Sequence, residues 1–528
     1  MAAAEAPLDT PKEEDNVPAL KHVDITTMPV GSAKQPLLYS ANPLLIFSMV
    51  VFGCSTLLFG YDNNIIGTLA ALERFVARYQ GPQPNGELVF TARNQDILYS
   101  LPLVGTILGA VISTPQQNYF GRKWSLIQDY TFSIGGVFLQ LFAPNFGAFV
   151  AGRFWNGLGY GSALAIAPLY LADIVPASYR GISVASSNIF TIFSGTIATC
   201  VMKGTSTIDS DLSYKIPLAI QCALPVILIP LTAILPESPV WLLRKDRLEE
   251  ARRTLRKLRR FSDEEVDGEL AVMQRDQEGE MALTAGVRLW DIFARKQLRR
   301  TITAGSLFSM NQISGIILST TYATVFLVQL GAGNAFTLTV VANICQLAGA
   351  IAGTLWVDRF RRRTVALTGM TILAVIDFTA GGLAFNSSDP SFAKGVAALS
   401  FIFNFVWTST FYTLSLLMPS EIPTPRLRNM TMSYAIAWGQ TTAVITTFAS
   451  PQLVNTDAAN LGAKAYLVWG GCMVGVITFM YFMLPDTNGR TVGEVDEMYG
   501  KKIPMRHWGG YVCSSAAPLD LRKVADER

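Results

Sequence analysis

The chain has 528 residues, of which 50% are hydrophobic and only 15% are charged. Soluble domains carry about 25% charged residues, so this deficit argues against a soluble protein and favours a membrane protein. The formal net charge of +3 is too small to indicate a nucleic-acid partner.

Apolar runs of span length recur along the whole chain and predict roughly twelve membrane-spanning helices of ~20 residues. A soluble protein with many buried helices is the alternative. The fold class predicted is an all-α membrane protein. We number the predicted spans 1 to 12 in chain order: 44–66, 96–116, 124–143, 147–170, 183–202, 215–235, 301–329, 336–357, 364–385, 395–418, 430–450 and 463–484.

These spans divide the chain into two halves, which we expect to form two six-helix bundles. Weak sequence repeats support two related halves, because FGRK, DIVPASYR and LPESP in the first half have counterparts in the second, each offset by roughly 240–250 residues. The predicted parts are a disordered cytosolic N-terminal arm (1–43), the first bundle (44–235), a cytosolic linker with short helices (236–300), the second bundle (301–484) and a cytosolic tail (485–528).

Basic residues cluster in the loops that follow even-numbered spans. The positive-inside rule therefore places these loops and both chain termini in the cytosol, and we expect the plasma membrane as the location. In the linker, DRLEEARRTLRKLRRF places Leu248, Ala251, Leu255 and Leu258 on one helical face. Ser262 and Glu265 have the spacing of a capping box for a second helix. A helical cluster packed under the bundles is predicted, with a solvated linker as the alternative.

Common enzymatic chemistry has no sequence signature in this chain. The two histidines lie outside the predicted spans, and no phosphate-binding GxxxxGK[ST] loop, cysteine–histidine metal cluster or nucleophile elbow is present. Five of the six cysteines fall inside predicted spans, so they do not form a disulfide framework. We therefore expect no enzyme, no metal and no cofactor, with an ion gradient as the energy source.

A single carboxylate interrupts the first span. FGYDNNIIG places Asp62 near the end of an apolar run, where a lone charge is costly unless it has a partner and a function. Arg153, in GRFWNGLGYG of span 4, lies at a similar predicted depth. Such a pair can gain or lose a proton as water access changes, so we predict a proton-coupling site. A permanent structural ion pair is the alternative.

An ordered set of motifs covers residues 44–499 and resembles the sugar porters of the major facilitator superfamily. The motifs are FGYD (59–62), GRK (121–123), GRFWNGLGYG (152–161), PLYLADIVPASYRG (168–181), PESPVWLL (236–243), NQISG (311–315), SEIPTPRLR (420–428) and PDTNGRTVGEVDEMY (485–499). In form they look most like fungal alpha-glucoside (maltose-type) proton symporters. The resemblance implies a carrier with alternating access and a proton pair at Asp62 and Arg153.

The resemblance also implies amides that bind sugar hydroxyls: Asn188 in span 5, and Asn311 and Gln312 in span 7. Ile317 stands where the family has an asparagine, and Tyr322 keeps the second of two family tyrosines. Fewer amides make a less polar pocket. Each sugar hydroxyl that such a pocket leaves unpaired costs on the order of 1–3 kcal/mol. A changed substrate is expected, such as a modified sugar, a polyol or a less polar metabolite. The alternative is that these residues only pack helices.

The resemblance further implies a charged gate on the cytosolic side. Its expected members are Gln117, Arg122, Asp173, Arg180, Glu237, Asp358, Arg359, Glu421 and Arg428. Gln117 replaces the aspartate found in family members, so one half of the gate has lost a charge. We therefore expect a resting population shifted toward the inward-open state.

The function predicted is proton-coupled uptake of a sugar or sugar-like solute by a monomeric carrier in a lipid bilayer. One alternative is a carrier or exporter of a specialised metabolite. Another is a transport-inactive nutrient sensor, although the tail after Tyr499 is short for a signalling domain. Asn386, in a predicted external loop, begins the short glycosylation sequon Asn-Ser-Ser.

Overall fold

The computed structural model describes residues 42–83, 86, 88–175, 180–260, 262–284, 288–331, 333–356, 359–386, 391–488, 490, 492–511 and 513. Almost all of the predicted N-terminal arm and the end of the tail lie outside the described residues. Within them, each of the twelve predicted spans corresponds to one helix or to a consecutive run of helices.

The spans keep the numbers of the predicted segments. Their helices are Pro43–Ser55 with Leu57–Leu69 (span 1), Ala92–Phe120 (2), Arg122–Leu141 (3), Phe146–Ile174 (4), Arg180–Thr205 (5), Leu212–Ile234 (6), Leu298–Ile313 with Ile316–Ser319 and Ala323–Gln329 (7), Ala335–Trp356 (8), Arg362–Leu383 (9), Ser391–Trp407 with Thr408–Tyr412 and Thr413–Leu417 (10), Arg428–Val454 (11) and Ala465–Met483 (12).

Eight spans of the described chain are long and apolar enough to cross a membrane by length and composition alone. Spans 3, 5, 7 and 11 do not meet these limits of length and composition. Span 3 begins with Arg122 and Lys123 and contains Asp129, and span 7 is broken into three pieces. Polar residues on a span can face the interior of a bundle, so lower hydropathy does not exclude a spanning helix.

Three spans show breaks that the predicted segments did not contain. Span 1 is interrupted at Thr56, whose hydroxyl donates to the carbonyl oxygens of Gly53 at 2.7 Å and Ser187 at 3.0 Å. Span 7 stops at Ile313, and Gly315 then has φ of 77°, a left-handed conformation that favours glycine. Span 10 contains a π-helix, Thr408–Tyr412, a feature that is frequent at functional sites.

Glycines of span 4 let two neighbouring spans approach closely, as their spacing predicts. A Cβ atom at Gly157 would lie 2.5 Å from the carbonyl oxygen of Pro102 in span 2. A Cβ atom at Gly159 would lie 2.7 Å from the carbonyl oxygen of Asp129 in span 3. Span 4 is therefore fixed in depth between spans 2 and 3, and this packing positions the residues that it carries.

Three short helices follow span 6 and pack under the first bundle: Pro239–Arg244, Leu248–Leu258 and Asp263–Thr284. The predicted apolar face is confirmed, because Ala251, Leu255 and Leu258 are fully buried. The predicted capping box is also confirmed, with the backbone N–H groups of Ser262 and Glu265 each donating to the other residue's side chain. We call the membrane face next to these helices the linker side and the opposite face the far side.

Among the described residues, the two halves contact each other mainly between spans 1 and 7, 2 and 11, and 5 and 8, with a further contact between spans 2 and 7 at Tyr322. The backbones of spans 1 and 7 approach each other closely, since a Cβ atom at Gly67 would overlap the carbonyl oxygen of Thr321. One apolar cluster runs across this interface and includes Phe75 and Phe90 of the first half and Leu318 and Phe326 of the second.

Candidate functional site

Asp62 and Arg153 are in direct contact inside the first bundle. Nη1 of Arg153 donates to Oδ1 of Asp62 at 2.5 Å, and the two side chains are 2% and 1% exposed. Each residue lies seven positions from the far-side end of its helix, a rise of roughly 10 Å below that end. The charges are thus placed in the apolar part of the bundle. Whether they carry protons remains a prediction.

Two amides complete the environment of this carboxylate. Nδ2 of Asn156 in span 4 donates to Oδ1 of Asp62 at 2.8 Å, and Nε2 of Gln221 in span 6 donates to the same oxygen at 2.7 Å. Oδ2 of Asp62 has no hydrogen-bond partner among the described residues. One oxygen is therefore held by three donors, while the other can accept a proton.

Sequence analysis did not identify Asn156 and Gln221. Asn156 follows Arg153 by three residues and so shares its helix face, a signal that could have identified it. Gln221 is an amide in an otherwise apolar span, and only the folded structure shows which span it faces.

The predicted substrate amides fall into two groups. Asn311 is buried, and its Oδ1 accepts a hydrogen bond from Nε1 of Trp407 in span 10 at 2.8 Å. Asn188 and Gln312 are half-buried and have no hydrogen-bond partner among the described residues. Their amides are therefore available to a solute in this state, whereas the oxygen of Asn311 is already bonded.

Ile317 and Tyr322 are buried in the apolar cluster between the halves. The hydroxyl of Tyr322 donates to Oε1 of Gln95 in span 2 at 2.6 Å and also contacts Oδ1 of Asn455. The Tyr322 hydroxyl is therefore already bonded in this state. Its contact with substrate stays a prediction, for a state in which these bonds are broken.

Tyr322 belongs to a polar network that joins the two halves on the far side. The network contains two further bonds in addition to the two contacts of Tyr322. Nδ2 of Asn455 donates to Oε1 of Gln95 at 2.8 Å, and Nε2 of Gln452 donates to Oδ2 of Asp96 at 2.5 Å. We call this network, together with the contact described next, the far-side closure.

The backbone N–H of Ala92 donates to Oδ2 of Asp457 at 2.8 Å. This bond places a carboxylate of the second half at the N-terminus of span 2, where the helix dipole favours a negative charge. A cavity of about 1080 Å³ lies at the far-side ends of both halves and is lined in part by Arg74, Asp209 and Phe326. The cavity therefore reaches the far-side closure, two members of which also line it.

Four of the predicted gate residues take part in two clusters on the linker side: three of them meet in the first half, and Glu421 belongs to a separate cluster in the second half. In the first half, Glu237 accepts hydrogen bonds from the backbone N–H groups of Arg122 at 2.9 Å and Lys123 at 3.2 Å. Arg122 also pairs with Asp173 at 3.3 Å. Burial raises the pKa of the Glu237 carboxyl above its usual range, although the backbone donors oppose that shift.

In the second half, Arg362 pairs with Glu421, and the hydroxyl of Thr487 donates to Oε2 of Glu421 at 2.8 Å. Arg359 and Arg428 are exposed. The side chain of Arg180 and all of Asp358 lie outside the described residues. The resemblance implies pairing between the halves, but the contacts seen at Glu237, Asp173 and Glu421 join residues of the same half.

Gln117 is buried at the linker side, and its Oε1 has no hydrogen-bond partner among the described residues. We expect Gln117→Asp to favour opening of the far side, because a carboxylate can pair with an arginine such as Arg180 and hold the linker side shut. A gain of about 1 kcal/mol changes the ratio of states about fivefold. The readout is the distance between spin labels at Arg93 and Ala458, exposed residues at the far-side ends of opposite halves.

In this experiment the native cysteines are replaced, and the long-distance population should grow in Gln117→Asp. Gln117→Leu is the matched control, since it removes the amide without adding charge. An unchanged or shorter distance in Gln117→Asp would show that this position does not set the gate.

Asn386 ends a short helical turn after span 9, Ala384–Asn386, on the far side. The rest of the predicted sequon, residues 387 and 388, lies outside the described residues. Its glycosylation stays a prediction.

Two six-helix bundles, a pseudo-repeat and a buried ion pair in the first half define a multi-pass membrane carrier of the major facilitator type. The chain belongs to the Sugar (and other) transporter family, whose pattern matches residues 47–499. It is 31% identical over 476 residues to the "Major facilitator-type transporter ecdD" of Aspergillus rugulosus, covering 86% of this chain and 87% of that protein.

A second relative is the "General alpha-glucoside permease" of Saccharomyces cerevisiae, 27% identical over 463 residues, with 86% of this chain and 75% of that protein covered. Among solved structures, the fold is similar to that of the proton:xylose symporter XylE of E. coli bound to 6-bromo-6-deoxy-D-glucose. That likeness has a TM-score of 0.68 at 21% identity, and it covers 86% of this chain and 99% of that chain.

Proposed function

We propose that this carrier imports a sugar or sugar-like solute together with a proton. The observation that carries the proposal is the Asp62–Arg153 pair, buried in the first bundle with one carboxylate oxygen free of partners. Replacing a buried charge pair by apolar groups is often neutral for folding, so stability alone does not explain this pair. Its unbonded carboxylate oxygen can bind and release a proton.

The coupling follows from the electrostatics of the pair. When Asp62 is ionised, Arg153, Asn156 and Gln221 all donate to Oδ1 and hold span 4 and span 6 against span 1. A proton on Oδ2 neutralises the carboxyl and weakens these charge-assisted bonds. The first bundle is then free to change its packing, so proton binding and bundle movement are linked.

The positive-inside rule supports the direction of this proton movement. It places the linker side in the cytosol and the far side outside the cell, with the plasma membrane as the proposed location. Protons then enter from the far side down the usual gradient. We propose that the proton gradient is the energy source, that no cofactor takes part and that the carrier works as a monomer.

The substrate is proposed to be less hydroxylated than an ordinary hexose or disaccharide. Asn188 and Gln312 offer free amides, but Ile317 offers no hydrogen bond and lies buried among apolar residues. A modified sugar or a specialised metabolite with a smaller polar surface fits this wall better. Ile317 is also the observation that favours the second candidate function, a metabolite carrier.

Uptake of labelled solutes in cells that lack their own sugar carriers tests the proposal. Uptake of a sugar or polyol that rises with external acidity supports proton-coupled import. Failure to take up any sugar-like solute, together with efflux of an apolar metabolite, would instead support the second candidate. Normal folding and surface delivery without any transport would favour a sensor.

A substitution in span 7 tests the substrate wall. Ile317→Asn combined with Asn188→Gln should raise uptake of an ordinary hexose or disaccharide about fivefold or more relative to wild type, because one added hydrogen bond contributes about 1 kcal/mol. Ile316→Asn, which also buries an amide in span 7, is the matched control. An unchanged substrate profile in the double variant would show that these residues only pack helices.

A further inference from the structure

A second carboxyl group is buried in the second bundle, far from the Asp62–Arg153 pair in sequence. Asp377 lies in span 9, fifteen positions from its linker-side end, and its side chain is fully buried. Neither of its carboxyl oxygens has a hydrogen-bond partner among the described residues. Within the same described part of the chain, no lysine, arginine or histidine forms a salt bridge to it.

The surroundings of Asp377 are apolar except for a few neutral groups. Oδ2 lies 3.5 Å from the position that a Cβ atom would take at Gly315 in span 7. From span 12, Trp469 packs against the same glycine, and its indole N–H is also without a partner among the described residues. Tyr466 of span 12 is the titratable group that faces this region, and its hydroxyl lies 3.5 Å from that of Ser319 and 3.4 Å from that of Ser400.

These surroundings cannot hold a charge. Without a cation or a donor bonded to it among the described residues, an ionised carboxylate is strongly disfavoured in this apolar interior, so the group binds a proton and becomes neutral. A neutral acid without hydrogen bonds also does nothing to hold this state together. Asp377 is therefore placed for a change of protonation and not for structural support.

The position of Asp377 connects it to the moving part of span 7. Gly315 is the left-handed break at which span 7 changes direction. Beyond that break, Thr321 packs against Gly67 and Tyr322 bonds to Gln95, both in the first half. Opening the far side must move this outer piece of span 7 away from the first half. The pivot of that movement lies against the carboxyl of Asp377.

We propose that Asp377 is a second proton-binding site, which keeps its proton while the far side is closed and releases it when span 7 moves and water reaches the carboxyl. Proton binding at Asp377 then favours the far-side closure, and loss of the proton favours its opening. This proposal extends the proposed proton-coupled function, but its chemistry does not depend on the identity of the solute.

Infrared spectroscopy of the purified protein in lipid nanodiscs tests the protonation directly, without solute or transport. Wild type at neutral pH should show the band of a protonated carboxylic acid, and Asp377→Asn should lose part of that band. Asp377→Leu, which removes the acid without adding an amide, should show the same loss. Asp62→Asn should leave in place the part of the acid band that the Asp377 variants lose. An identical acid band in wild type and both Asp377 variants overturns the proposal.

The link to span 7 is tested by the spin-label pair at Arg93 and Ala458, measured against pH in the Asp62→Asn background. The far-side-open population should rise with pH, and Asp377→Asn should remove that rise. Because Asp96 belongs to the closure and can titrate there, the comparison is repeated in the Asp96→Asn background, where Asp377→Asn should still remove the remaining rise. A pH dependence that is unchanged by Asp377→Asn overturns the proposed link.

The two tests separate this proposal from the proposed function. A negative result at Asp377 says nothing against coupling through Asp62, because the spin-label test is made in a variant that already lacks the Asp62 carboxylate. Thermal unfolding of Asp377→Leu provides a further check, since removing an unpartnered buried acid should raise the unfolding temperature. A lowered unfolding temperature with retained fold would reveal a structural partner for Asp377 and would contradict the proposal.

Discussion

Asp62→Asn is expected to abolish accumulation of the solute against its gradient while exchange of solute across the membrane continues. The asparagine keeps hydrogen bonds to Arg153, Asn156 and Gln221 but cannot gain or lose a proton in the physiological range. Net accumulation should therefore fall to the level of equilibration, and equilibrium exchange should stay within about tenfold of wild type.

Arg153→Leu is expected to be more damaging than Asp62→Asn. It leaves the carboxylate of Asp62 buried with two amides and no cation, and removing one partner of a buried pair typically costs about 3–5 kcal/mol. Both accumulation and exchange should be lost, with a lower yield of folded protein. The double variant Asp62→Asn/Arg153→Leu is the matched control, because it removes the stranded charge and should recover folding. Accumulation in Asp62→Asn at acidic external pH would contradict the assigned role.

Asn455→Leu is expected to open the far side. This substitution removes the contacts of Asn455 with Gln95, Tyr322 and Gln329, and it leaves polar groups at the interface of the two halves without partners. Each hydrogen bond lost is worth about 0.5–1.5 kcal/mol, so the loss of two of them changes the ratio of closed to open states by about 5- to 150-fold. Spin labels at Arg93 and Ala458 should show a larger long-distance population.

Tyr322→Phe should shift the same distance in the same direction but less, because it removes a single hydroxyl. Tyr79→Phe is the matched control, since the Tyr79 hydroxyl bonds to the carbonyl oxygen of Ala143 within the first half, at 3.4 Å. Equal distances in wild type and Asn455→Leu would mean that the far-side closure does not hold the halves together in the membrane.

The twelve spans could be predicted because a helix that crosses a bilayer requires a long apolar run, and runs of that length recur along the chain. The breaks could not be predicted in the same way. Thr56 interrupts span 1 through hydroxyl bonds to two carbonyl groups, one of them in span 5. Gly315 breaks span 7 where Trp469 and Asp377 of other spans meet it. Such contacts depend on which helices become neighbours.

The Asp62–Arg153 contact was predictable in kind, because a lone charge in a span needs a compensating one and the first bundle offers few candidates. The far-side closure was not. It joins residues 92–96 with residues 452–457 through amide, carboxylate and hydroxyl groups, and only the folded structure shows which of these groups become partners. Sequence analysis assigned Tyr322 to substrate binding and not to the closure, because a motif identifies a residue but not the conformational state in which it acts.

Proton movement that accompanies the solute is the most direct test of proton-coupled import. The purified carrier is placed in liposomes containing a pH-sensitive dye, with no initial pH gradient, and a transported solute is added outside. Wild type should acidify the lumen in proportion to solute entry, and Asp62→Asn should take up solute only to equilibrium, without acidification. Solute entry into wild-type liposomes without luminal acidification, or luminal acidification of equal size in Asp62→Asn, would contradict coupling through Asp62.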